Sequence, residues 1–175
     1  MNVFILNTGR CGSMTFTMAC RHIINFSSAH ESRIDLPGPQ RLRYPDNHIE
    51  ADNRLSWFLG RLEQHYGDQA IYVHLKRERQ ATIDSFIKRE DFGIMQAYRN
   101  GIYLNAEQQP IDILATDYVD SVNANIEQFL SNKTRTMRFH LETAETDFRT
   151  FWELIGAEGD LDSALKEWQI THNQS

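Results

Sequence analysis

Glycine, arginine and hydroxyl side chains are the residue types that bind anions. Five of them crowd into seven positions: Gly9, Arg10, Gly12, Ser13 and Thr15. Glycines let the backbone approach a ligand closely. Arginine supplies charge, and hydroxyls supply donors. A second group follows in "YVHLKRERQATIDSF" (72–86), where Arg77 and Ser85 stand 85 − 77 = 8 positions apart. An arginine at a strand end and a serine two turns into the next helix can grip a second anion. Each group also has an ordinary structural explanation. The first can be a strand–helix turn with Ser13 as the helix cap, and the second a solvated charge cluster of Lys76, Arg77 and Arg79.

The surrounding pattern supplies elements to hold these groups. The apolar run 2–7, rich in β-branched residues, predicts a buried parallel strand. A helical pattern covers 13–25. A short strand is expected at 26–30, an irregular loop rich in proline and arginine at 31–47, and a third strand at 47–51. Leu55, Phe58, Leu59, Leu62 and Tyr66 predict a helix over 52–66, capped by Asp52 or Asn53 and ended by Gly67. A strand over 70–75 precedes a helix at 79–89. Helices are expected at 91–104 and 111–131, a last strand at 134–141, and two short helices at 145–155 and 160–170. Alternating strands and helices give an α/β class. The expectation is one three-layer, P-loop-like domain over 1–175, with a central, mostly parallel sheet flanked by helices. In such sheets ligands bind beyond the carboxyl ends of the strands. The first loop lies there and opens a helix, whose free N–H groups favour phosphate or sulfate.

The loop is not the G-x-x-x-x-G-K-[ST] of ATP and GTP enzymes. It is shorter, lacks the lysine, and has its cation before Gly12. The formal net charge of −6 argues against nucleic-acid binding, which needs a basic face. No apolar run is long enough to span a bilayer, and "NVFIL" after Met1 is too short for a signal peptide core. Cys11 and Cys20 do not read as a disulfide framework, which points to a reduced, cytoplasmic setting.

Together, "TGRCGSM" and "HLKRERQATIDS" resemble the two signature motifs of the sulfotransferases that use 3′-phosphoadenosine 5′-phosphosulfate (PAPS). The first such motif is a strand followed by a loop of the type T-G-R-S-G-T-T. The second is a strand-end arginine and a serine on the next helix at the same spacing. "MRFHLETAETDFRTFWELIGAEGD" is similar to the family's late strand and helices. The resemblance implies that Gly9, Arg10, Cys11, Gly12, Ser13, Met14 and Thr15 wrap the 5′-phosphosulfate. It implies that Arg77 and Ser85 hold the 3′-phosphate and that no metal is needed. Cys11 and Met14 stand where the family often has serine and threonine. Glu78 and Arg79 replace its Asp-Pro turn.

Sulfuryl transfer is an in-line attack of an acceptor on sulfur, releasing adenosine 3′,5′-bisphosphate. Charge builds on the leaving oxygen, and Arg10 is the residue expected to stabilise it. The family's base is a His or Glu at the end of a middle strand. Glu31 leads here, followed by His30 and then Asp52, with His48 and Glu50 nearby. An Asp before a helix is normally a cap, so Asp52 has a structural alternative. The acceptor is expected to be a small molecule or glycan. Trp57, Phe58, Phe86, Phe92, Tyr98 and Tyr103 can form its pocket, or simply the core. His172 and Asn173 can close over the nucleotide, or belong to a frayed tail. Two rival readings stand beside this one. One is an ATP- and magnesium-dependent kinase with Glu50 or Asp52 on the metal. The other is a non-catalytic nucleotide-binding domain.

Overall fold

A computed structural model describes residues 1–91, 93–104 and 106–170. The strands are β1 (Val3–Leu6), β2 (Ser27–His30), β3 (His48–Ala51), β4 (Ile71–Lys76) and β5 (Thr136–His140). The α-helices among the described residues are α1 (Ser13–Cys20), α2 (Leu59–Tyr66), α3 (Arg79–Ile87), α4 (Gly93–Ala97), α5 (Ile111–Leu130), α6 (Ala144–Ile155) and α7 (Leu161–Lys166).

The strands form one sheet in the order β2-β3-β1-β4-β5. Every pairing in it is parallel, rather than mostly parallel as expected. β1 lies at the centre, with Val3 opposite both Ile49 and Ile71. Its unbroken apolar run is explained by burial on both faces. Val3 and Ile5 point into one core with Phe16, Phe139, Phe148 and Phe151. Phe4 and Leu6 point into the other with Leu55, Tyr72, Phe86 and Tyr118. Phe16 of α1 packs edge-on against Phe139 and Phe151, at 5.0 and 4.9 Å between centroids. This is the three-layer α/β arrangement.

Several elements depart from the sequence expectation. The helix over 13–25 ends at Cys20. Ile23 instead bridges to Gly159, and Ile24 N donates to Glu158 O at 2.8 Å. The helix over 52–66 is broken at Phe58 into a 3-10 turn, Asn53–Trp57, and α2. That turn is pinned to β1's exit, because Ser56 Oγ donates to Asn7 O and Asn53 Nδ2 donates to Thr8 O. The helix over 91–104 becomes α4 and a π-turn, Tyr98–Ile102. Tyr98 is fixed there by a 2.5 Å hydrogen bond from its hydroxyl to Asp117. No described helix is long and apolar enough to cross a membrane.

Candidate functional site

A cleft of about 530 Å³ opens at the carboxyl ends of the strands, and every strand contributes to it. Gly9 to Thr15 follow β1, and His30 and Glu31 end or follow β2. Asn53 and Arg54 follow β3, Arg77 follows β4, and Leu141 follows β5. The connections that leave β1 and its neighbour β3 run toward opposite edges of the sheet. That is the switch point at which α/β sheets bind ligands.

The loop after β1 is built to present backbone. Asn7 Oδ1 accepts from Gly9 N at 2.8 Å, and Asn7 Nδ2 donates to Ile5 O at 2.9 Å. Thr8 O accepts from the buried Tyr118 hydroxyl at 2.7 Å. Gly9, Arg10 and Gly12 adopt positive φ of 86°, 60° and 88°. A Cβ on Gly9 would stand 2.8 Å from Asn53 Nδ2, and one on Gly12 would stand 2.7 Å from Leu141 Cδ1. The positive φ is what favours glycine at both positions, and a Cβ would in addition push aside the tips of Asn53 and Leu141. α1 begins without a side-chain cap; its first backbone bond runs from Phe16 N to Gly12 O. Ser13, Met14 and Thr15 precede that bond, so their N–H groups have no intrahelical partner. A glycine loop feeding an uncapped helix start fits a phosphate or sulfate group.

Charge agrees with geometry. The cleft is lined by Arg10, Arg54, Arg77 and Arg89 against Glu31. The formal balance is 4 − 1 = +3, in a chain whose net charge is −6. Burial and the neighbouring guanidiniums of Arg89 and Arg77 push Arg10 below the ordinary arginine range. It stays protonated at neutral pH, because a guanidinium does not give up its proton there. Arg10 Nε donates to Ser85 Oγ at 3.0 Å, and Arg77 Nη1 donates to Arg10 O at 3.3 Å. The two stretches singled out in the sequence thus meet directly.

On the opposite wall Ser13 Oγ and His30 Nε2 are 3.0 Å apart. Glu31, at φ 50°, pairs with Arg54 Nη1 at 3.0 Å.

Other expected residues fall elsewhere. Ser85 does not line the cleft; its hydroxyl serves Arg10. The Cys11 side chain is buried, and burial pushes its thiol up to about 12, so the residue can offer only backbone to a ligand. Asp52 is fully buried behind the cleft. Its Oδ1 caps the 3-10 turn at Arg54 N, and its Oδ2 meets Arg41 Nη2 at 2.5 Å. Burial still pushes its carboxyl above the ordinary range despite that arginine. His48 and Glu50 are buried and bonded to each other at 2.9 Å. Of the aromatic residues proposed for an acceptor pocket, Phe86 lines the cleft. Trp57, Tyr98 and Tyr103 do not, because they pack against one another, and Phe58, beneath Arg41, lines a neighbouring cavity instead. Phe92, His172 and Asn173 lie outside the described residues.

The cleft also contains Asn53, Arg54, Arg89, Leu141 and Trp168, which sequence reasoning missed. Arg89 had a signal, since it follows Ser85 by 89 − 85 = 4 positions, one helical turn. Leu141 and Trp168 arrive by long-range packing and had none.

No protein-family model matches the chain, and no curated protein sequence does. Solved structures do. A sulfotransferase domain from the curacin biosynthetic pathway superposes with a TM-score of 0.70 at 12% identity, covering 97% of this chain and 78% of that one. Mouse sulfotransferase SULT7A1, complexed with PAP, superposes with a TM-score of 0.61 at 13% identity. That match covers 96% of this chain and 63% of the mouse chain. The glycine loop at the switch point of a five-stranded parallel sheet is thus set in the sulfotransferase fold.

Proposed function

We propose that this chain is a PAPS-dependent sulfotransferase. The observation that carries the reading is the convergence of Arg10, Arg77 and Arg89 on a glycine loop at the head of α1. The repulsion that Arg89 and Arg77 exert on Arg10 is relieved by an anion of high charge, which a nucleotide bisphosphate supplies. The mouse neighbour's complex with PAP supports the same ligand class.

When bound, PAPS supplies the sulfuryl group that passes in line to an acceptor oxygen or nitrogen. Gly9 to Thr15 hold the 5′ side through backbone N–H groups and the Ser13 hydroxyl. Arg10 stabilises charge on the leaving phosphate oxygen, in a site fixed in advance by Ser85 and Arg77. Arg77 holds the 3′-phosphate, with Ser85 acting through Arg10. His30 is the base we assign. Its Nε2 stands beside Ser13 on the cradle, where it takes the acceptor's proton. Glu31 orients Arg54, which holds its carboxylate. The acceptor is a small molecule or glycan.

The kinase reading fits less well. Its magnesium carboxylates, Glu50 and Asp52, are engaged by Ser32 and His48, and by Arg41 and the Arg54 N–H.

The test is a thermal-shift titration with adenosine 3′,5′-bisphosphate, AMP, ATP, and ATP with magnesium, on wild type and Arg77→Ala. A ligand at about 100 times its dissociation constant adds about 2.7 kcal/mol. In a chain of this size that raises Tm by roughly 5–10 °C. The expected result is stabilisation by the bisphosphate, lost in Arg77→Ala. A response confined to ATP with magnesium sinks the reading.

A further inference from the structure

A second cavity, of about 440 Å³, adjoins the cleft and shares Arg54 with it. Its apolar wall is Ile34, Leu36, Pro37 and Phe58. Three guanidiniums face it. Arg41 is matched by Asp52 at 2.5 Å and Arg54 by Glu31 at 3.0 Å. Arg61 is different. It is half-buried, 5.6 Å from the Phe58 ring centroid, and its Nη2 donates to Gly38 O at 2.7 Å. Among the described residues no carboxylate pairs with it. Asp35, the cavity's own acid, is exposed and solvated.

We propose that this cavity is the acceptor subsite, and that it takes a small hydroxy compound with an apolar body and a carboxylate. The proposal rests on the sulfotransferase reading above. The body lies on Ile34, Leu36, Pro37 and Phe58. The carboxylate meets Arg61 in a charge-assisted bond. The shared Arg54 joins this cavity to the wall that carries Glu31 and His30, so the hydroxyl end faces the base. The volume is that of a drug-sized pocket, which is lined mainly by apolar groups with a few placed polar ones.

The test uses two probes of matched shape, para-hydroxyphenylpropionate and its neutral counterpart para-propylphenol. Binding to the full chain is measured by calorimetry, with and without saturating adenosine 3′,5′-bisphosphate. The acid is expected to bind about tenfold more tightly than the phenol, the gain of one bond to a charged group. In Arg61→Gln the two should bind equally, with bisphosphate affinity unchanged. Arg61→Lys should keep part of the preference, and it serves as the readout if Arg61→Gln fails to fold. Equal binding of both probes to wild type, binding of neither, or a preference that survives Arg61→Gln overturns the proposal. Failure of the bisphosphate to bind is a separate result. It removes the sulfotransferase reading, while the probe contrast without nucleotide still decides whether the cavity selects acids.

Discussion

Glu50 accepts two hydrogen bonds from Ser32, one from the backbone N to Oε1 and one from the hydroxyl to Oε2, both at 2.7 Å. The carboxylate is fully buried and also takes His48 Nε2 at 2.9 Å. It anchors the chain immediately after Glu31, which is held at a φ of 50° that non-glycine residues rarely adopt. Glu50 therefore keeps Glu31 and His30 turned toward the cleft. Glu50→Ala should lower stability by about 1–3 kcal/mol, because it removes both bonds from Ser32 and leaves the buried His48 ring without its carboxylate partner. It should reduce sulfuryl transfer while bisphosphate affinity stays near wild type, since the cradle stands on β1. Urea denaturation and a bisphosphate titration on the same preparation check both halves.

Under the proposed function, Arg10 combines a functional gain with a folding cost. Its charge is disfavoured by burial and by Arg89 and Arg77. Arg10→Met should leave the Tm of the ligand-free chain unchanged or raise it, while removing most of the stabilisation by bisphosphate. Ser85→Ala should weaken bisphosphate binding more mildly, because it only frees Arg10 Nε. A fall in ligand-free Tm with intact bisphosphate binding in Arg10→Met contradicts the assignment.

Gly12→Ala separates steric from conformational strain. The new methyl meets Leu141 Cδ1, the end of a flexible side chain, whereas the φ of 88° belongs to the backbone. The backbone part costs about 1–2 kcal/mol in a non-glycine residue. Adding Leu141→Ala should relieve the contact and leave the backbone part. A double-mutant cycle in urea therefore should show a favourable coupling between the two changes.

His74 gives the chain an acid-sensitive core. Burial pushes its imidazole down from 6.5 to about 4, and its Nε2 lies 3.0 Å from Asn123 Oδ1. The folded state holds the ring neutral, whereas the unfolded chain protonates near the ordinary value. The contribution is therefore complete above the unfolded value and is lost as pH falls toward about 4. Between pH 7 and pH 5 this group should cost about 2 kcal/mol. Unfolding free energies at the two pH values, for wild type and His74→Gln, should differ by that amount in their pH dependence. An identical slope in the variant would falsify the assignment.

Much of this was readable from local sequence. "NVFIL" announced a strand buried on both faces, and the glycines at 9 and 12 announced a turn that needs positive φ. The spacing of Arg77 and Ser85 marked two residues that both meet Arg10, of which Arg77 lines the cleft and Ser85 does not. Asp52 was legible as a cap, because an Asp before a turn accepts backbone N–H bonds wherever it sits. Failures came where distant contacts overruled periodicity. Phe58 breaks a helix that its own spacing predicted, because Asn53 and Ser56 are tied to β1's exit. Leu141 and Trp168 reach the cleft from residues far along the chain, and nothing local marks them.

That last feature bears on synthesis. The glycine loop is walled by Leu141 beside Gly12, across 141 − 12 = 129 positions, and Trp168 joins the same cleft from later still in the chain. Contacts of such sequence separation form slowly, because loop closure must precede them. During synthesis residues 9–15 leave the ribosome well before Leu141 and Trp168, and their cleft is walled only when those have followed. On the proposed function, capture of the nucleotide waits until Leu141 and Trp168 have docked, so ligand binding reports that these distant residues are in place.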